Sequence, residues 1–205
     1  SGERVGGNDF DIALALKGIM PHFGLDSYLK TGKPMPSNSF WQAVAINNIN
    51  EQTEFYSSSN RRYLQQLQRD AVEADVFSRL LTVHDNKLSY RLVNGAEQAK
   101  IGLTEHISQN IALSDIAPQL SADVSRELMR EASTSQLEKV GQMMDDAVAQ
   151  AGCSPDVIFV TGGSAKSPVL SEYLTSKMPN TPLIVGDHFG SVTVGLARWA
   201  ERVFA

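Results

Sequence analysis

The apolar residues of this chain follow mostly a helical rhythm, and the rhythm changes near the end. From Phe10 to Met20 ("FDIALALKGIM") apolar positions occur almost all round the wheel, which predicts a buried helix. Gly6-Gly7 opens it, Asn8 or Asp9 can cap it, and its acidic residues suit the positive end of the dipole. Pro21 is expected to stop it. Thr31 to Ser39 ("TGKPMPSNS") reads as loop, and "FWQAVAINNI" as a short helix carrying Trp41. After a polar break at Ser57 to Asn60, the stretch from Arg61 to Leu103 is mostly helical, interrupted near His84-Asp85-Asn86. Leu92, Ala96, Ala99 and Leu103 keep an i, i+4, i+7, i+11 spacing. Asn94-Gly95 inside it reads equally as a turn.

"SQNIALSDI" has strand character, and helices are predicted around Ala122–Glu131 and Ser135–Ala151. In the second of these, Leu137, Val140, Met144, Val148 and Ala151 form an apolar stripe that reads as core. The C-terminal part alternates: strand Val157–Thr161, glycine turn, helix Pro168–Ser176, strand Leu183–Val185, loop, helix Ser191–Val203. A βαβα order implies two parallel strands joined by a right-handed crossover.

Composition removes several classes of function. The chain has 205 residues, is 42% hydrophobic and 20% charged, and carries a formal charge of -5, with no basic stripe for nucleic acid. Arg61-Arg62 reads as a solvated helix end. A single cysteine, Cys153, excludes an intrachain disulfide and fits a reducing cytoplasm, with the thiol expected to be packed. His22, His84, His106 and His188 show no metal-ligand spacing, and no apolar run reaches membrane-spanning length. The abrupt opening Ser1-Gly2-Glu3-Arg4 reads as a piece of something longer.

The candidate chemistry lies in "VIFVTGGSAKSP", Val157 to Pro168. Ser167 followed by Pro168 is a helix start, so a helix N-terminus points at Gly162-Gly163, which suits an anion or polar ligand. The Walker loop and the dinucleotide fingerprint do not match. A nucleophile elbow comes closer, with Ser164 as nucleophile and Asp187 and His188 following in hydrolase order. Lys166 stands where that motif needs its last glycine, and an adjacent Asp and His cannot easily face one another. The bland alternative is a tight structural turn.

Three segments, in order and over nearly the whole chain, carry a resemblance. "VIFVTGGSAKSPVL" resembles the adenosine-binding segment of the seventy-kilodalton heat-shock (DnaK-type) chaperone family. "VGGNDFDIALA" resembles its Gly-Gly-Glu-Asp-Phe-Asp segment, and "AEQAKIGLT", Ala96 to Thr104, its nucleotide-contacting helix. The resemblance implies an α/β, actin-like (ribonuclease H-like) ATPase fold, of which this chain would be most of the second lobe. Residues 1–20 and 122–205 would form the inner subdomain, and residues 21–121 an inserted outer one, mostly helical with a small sheet. ATP or ADP would be the ligand. Glu97 and Lys100 stand for the family's acidic and basic residues beside the ribose and adenine, Thr104 for its serine, and Ile101 for an isoleucine of bacterial members. These four are predicted on one helical face. Gly162, Gly163 and Ser164 would line the adenosine, Lys166 stands for an arginine over the base, and Gly6 and Gly7 would lie near the ribose and phosphates.

The departures bear on affinity. Lysine stacks less well than arginine, and Asp187-His188-Phe189-Gly190-Ser191 replaces Asn-Pro-Asp-Glu-Ala, so Phe189 stands where the family has an aspartate. Gly195 and Ala197 keep the small residues of the closing helix. The family's phosphate loops, catalytic residues and magnesium ligands would precede Val5. The expected role is therefore adenosine recognition and lobe closure in a chaperone-like ATPase that also meets a co-chaperone or client protein, with no hydrolysis by this chain alone. Self-association through an incomplete inner sheet is also expected. The alternative is a degenerate actin-like protein-interaction module without nucleotide binding.

Overall fold

The computed structural model describes residues 5–186 and 191–204. Asp187, His188, Phe189 and Gly190, which sequence reading placed in the altered loop, lie outside the described residues. The chain divides into two compact units, residues 1–7 with 134–205 and residues 8–133.

The larger unit takes α1 (Gly7–Leu14) from its second residue onward, and the helix runs on as a π turn over Ala15–Ile19 and a 3₁₀ turn over Met20–Phe23. Pro21 sits in the first turn of the 3₁₀ segment and does not stop the chain's helical course; Gly24 closes it at φ 98°. Asn8 and Asp9 lie inside α1 and do not precede it. There follow α2 (Asn38–Val44), α3 (Ile49–Phe55), α4 (Ser58–Asp70), α5 (Ala74–Asn86) and α6 (Ser89–Gly102). Asn48 and Ser57 cap α3 and α4 with their side-chain oxygens. His84-Asp85-Asn86, where the interruption was expected, still belong to α5, and the break falls just after them at Lys87 in the left-handed region. Asn94-Gly95 is helical.

Fully buried Phe23, Phe40, Phe55, Phe77, Leu64, Leu80 and Leu92 form the core of this unit. Phe40 and Phe77 meet edge to face, with ring centres 5.8 Å apart. Arg61 is not simply solvated: it holds Asp85 through two hydrogen bonds of 2.8 and 2.9 Å, tying the start of α4 to the end of α5. That guanidinium pulls the Asp85 carboxyl down to about 2.

Strands β1 (Ser108–Ala112) and β2 (Ser121–Ser125) pair antiparallel, with Ile111 opposite Ala122, and α7 (Arg126–Ala132) follows. Residues 122–125 are therefore strand, where helix was predicted. The reason is period: Ala122 and Val124 are buried and their neighbours are not. Residues 8–20 and 122–133, expected with the inner subdomain, pack in this helical unit. A Cβ on Gly18 would meet Val124 at 2.8 Å, and Lys17 pairs with Glu131 at 2.9 Å.

The smaller unit holds α8 (Thr134–Ala151), β3 (Ile158–Val160), α9 (Pro168–Lys177), β4 (Leu183–Val185) and α10 (Ser191–Phe204). β3 and β4 are parallel, as predicted from the βαβα order, with Ile158 opposite Leu183. The α8 stripe is only partly core. Leu137 is buried, but Met144, Val148 and Ala151 line an open apolar groove of about 340 Å³ with Val157, Ile158 and Met178. Cys153 is exposed on that groove and is not the packed thiol expected. Phe159, Ile184 and Val185 on the strands are exposed, as are Leu196, Trp199 and Phe204 on α10. Among the described residues no helix is long and apolar enough to cross a membrane.

Candidate functional site

The sequence-predicted site residues fall on both units, and each group has its own local logic. In the larger unit, Glu97, Lys100 and Ile101 lie in the last two turns of α6. Thr104 does not continue their helical face, because α6 ends at Gly102 and Thr104 sits in the following turn. Its hydroxyl donates back to the Ile101 carbonyl at 2.8 Å. Arg126 braces the same turn, donating to the carbonyls of Leu103 at 2.7 Å and Thr104 at 3.0 Å. Ile101 presents an exposed side chain.

Lys100 has a partner that sequence reading missed. Its Nζ lies 2.7 Å from Oδ1 of Asp11, whose side chain is 3% exposed. Asp11 sits on the buried side of α1, among Phe10, Ile12 and Leu14. Burial pushes its carboxyl above the ordinary carboxylate range, Lys100 opposes that rise, and the nearby charge of Glu97 adds to it. An acid inside the mostly apolar run from Phe10 to Met20 was the available signal. Such a residue needs a cation, since an unpaired buried charge is expensive. Lys100 is thus a positioned cation, fixed between α1 and α6.

In the smaller unit the chain leaves β3 at Val160 and turns through Gly162 into a 3₁₀ turn, Gly163–Lys166, before Ser167 and Pro168 start α9. The Ala165 N–H donates to the Gly162 carbonyl at 3.1 Å, and the Ser167 N–H to that of Ser164 at 3.0 Å. Ala165 is buried and anchors the turn, while Gly163 and Lys166 face solvent and Ser164 is half-buried.

The two glycines have different reasons to be glycine. Gly162 has φ 91°, a conformation that L side chains rarely adopt, so the turn itself requires it. Gly163 has no positive φ, and a Cβ there would meet nothing within 4 Å. Neither backbone nor packing explains glycine at 163, and its outer side is open. Gly6 is exposed coil before α1, and Gly7 is the first residue of α1.

Among the described residues no group of three His, Cys, Asp or Glu side chains is placed to hold a metal ion. No family model matches the chain.

The Asp11–Lys100 pair generates a measurable expectation. Lys100→Met leaves the Asp11 carboxylate buried without its cation and should cost about 3 kcal/mol in urea unfolding. A loss under about 1 kcal/mol would mark the pair as an ordinary surface bridge. The pH sign follows from the direction of the shift. A carboxyl raised in the fold binds its proton more tightly there than in the unfolded chain. Its contribution to stability is greatest below its ordinary value of 3.8 and is lost as pH rises through the raised value. Wild type should therefore lose stability relative to Asp11→Asn as pH climbs from about 4 to neutrality; a gap that does not move with pH would contradict the assignment.

Proposed function

We propose that this chain is the adenosine-binding lobe of an actin-like ATPase of the DnaK type, resembling the divergent, chaperone-like YegD proteins. The reading rests on the resemblance of three ordered segments. One structural observation carries it further: the strand-to-helix turn at Gly162-Gly163 holds one glycine that its own conformation demands and a second that nothing in the fold demands. A backbone kept bare beside open space suits the close approach of a flat or polar ligand.

On this reading Gly163 and Ser164 line the adenosine, and Lys166 covers the base. Lys100, oriented by Asp11, and Glu97 face the ribose, with Ile101 giving an apolar contact. Thr104 contributes mainly by shaping the turn, because its hydroxyl is bonded to Ile101. Gly6 and Gly7 lie toward the phosphates. ATP or ADP supplies the phosphoryl chemistry when bound, with Mg²⁺, and these residues bind and orient its nucleoside end. Recognition and lobe closure, in a cytoplasmic protein that also meets a co-chaperone or client, is the role assigned here. The runner-up, a protein-interaction module without nucleotide, gains support from the commitment of Lys100 to Asp11.

The glycine argument gives a clean variant. Because a side chain at 163 meets no neighbour, Gly163→Val should fold as wild type yet weaken a fluorescent ADP analogue by at least about tenfold, or about 1.4 kcal/mol. Equal binding by the two proteins would move the site elsewhere, and binding by neither would favour the interaction module.

The exposed apolar side chains of β3, β4 and α10 lead to a second expectation. Parallel sheets are ordinarily covered on both faces, and apolar patches beyond a few hundred Å² usually find a partner. We expect the chain to associate with a second copy unless another lobe covers these residues. Light scattering across a dilution series checks this: a mass that falls to the monomer on dilution supports it, and a monomer at every concentration contradicts it.

A further inference from the structure

β1 and β2 make a two-stranded sheet among the described residues. The Leu113 N–H donates to the Leu120 carbonyl at 2.8 Å and the Arg126 N–H to the Ile107 carbonyl at 3.1 Å. Both pairs continue the register that sets Gln109 against Val124 and Ile111 against Ala122. The odd-numbered residues of β1 therefore bond inward to β2. An antiparallel ladder alternates, so the N–H and C=O groups of Ser108, Asn110 and Ala112 turn to the other side, the open edge. All three residues are exposed.

Only one end of this edge is closed. The Ala112 carbonyl accepts from Nη2 of Arg91 at 2.8 Å, and Asp115 holds that guanidinium with both carboxylate oxygens, at 3.0 and 3.1 Å. The Asn110 side chain is drawn across the sheet, its Nδ2 donating to Asp123 at 2.7 Å, and so leaves the edge uncovered. Exposed edges are ordinarily blunted by a lysine, a proline or a bulge; Ser108, Asn110 and Ala112 supply none of these. Alongside runs a groove of about 280 Å³ between α6 and β1, lined by Asn94, Gln98 and Gln109 together with Gly95, Ala99 and Ile111.

We infer that the open edge of β1 is a docking site for an extended, polar segment of another polypeptide, which joins the sheet as a third strand. The outward groups of Ser108 and Asn110 supply the main-chain hydrogen bonds, and the groove takes alternate side chains of the added strand. The amides of Asn94, Gln98 and Gln109 in that lining offer hydrogen bonds to polar side chains. Arg91 is neutralised by Asp115, so the site does not select by charge. Arg91 also fixes the register, since its hold on Ala112 leaves Ser108 and Asn110 as the pairing positions. A second β1 laid antiparallel and centred on Asn110 would set Ser108 against Ala112, whose carbonyl is already held, so a partner peptide fits the edge better than another copy. This site is independent of the nucleotide reading.

The test uses a display library of random peptides of about ten residues panned on this chain, with the enriched peptides then made synthetically. The expected result is enrichment of peptides that slow hydrogen exchange at the Ser108 and Asn110 amides. Asn110→Pro removes the central outward donor without breaking a β1–β2 bond, a position where proline is tolerated, and should weaken those peptides at least about tenfold. Gln98→Trp fills the groove, leaves the β1 backbone intact and should do the same, which decides the matter if the proline variant fails to fold. The inference is overturned by no enrichment over bare support, or by undiminished binding to the folded variants. Protection of the edge that appears without peptide and grows with protein concentration would also overturn it, in favour of a second copy.

Discussion

A carboxylate buried on an apolar helix sets terms that the rest of the larger unit must meet. Asp11 is held away from water by its place on α1, and burial alone drives it toward its neutral form. Lys100 answers that demand from α6 at 2.7 Å. The pair ties α6 to α1 close to Glu97, Ile101 and the turn at Thr104. It is costly as a stabilising device, because desolvation offsets much of the attraction.

The glycines divide along a similar line between what folding needs and what it does not. Gly95 and Gly18 are small because neighbours leave no room; a Cβ on Gly95 would come within 2.9 Å of Ile111. Gly162 is glycine because of its backbone angle. Gly163 answers to neither constraint, and that residue links the description of the fold to a proposal about a ligand. The same comparison gives the variant its use, since a position free of steric duty can be changed without unfolding the chain.

The sequence was most readable where a single local rule decided the outcome. The apolar periods of α6 and α8, the Ser167-Pro168 start of α9 and the two short parallel strands were all visible in it. β2 was not, because five residues of alternation ran directly into a helical stretch and only the pairing with β1 decides between the two. The π and 3₁₀ continuation past Leu14 was hidden for a similar reason: Pro21 forbids some helical hydrogen bonds but fits the first turn of a new segment. The glycine turn and the α6 residues were legible as candidates. The hold of Asp11 on Lys100 was not, because it joins residues far apart in sequence, and it makes Lys100 a fixed element of the fold as well as a candidate contact. The exposed Cys153 and half-exposed α8 stripe were misread because apolar character was equated with core.

The central proposal is that the bare backbone at Gly163 takes a nucleoside. Hydrogen exchange followed residue by residue, with and without saturating ADP, tests it most directly. The account predicts slowed exchange at residues 162–167, with β1 unaffected. Unchanged exchange at residues 162–167 would contradict it.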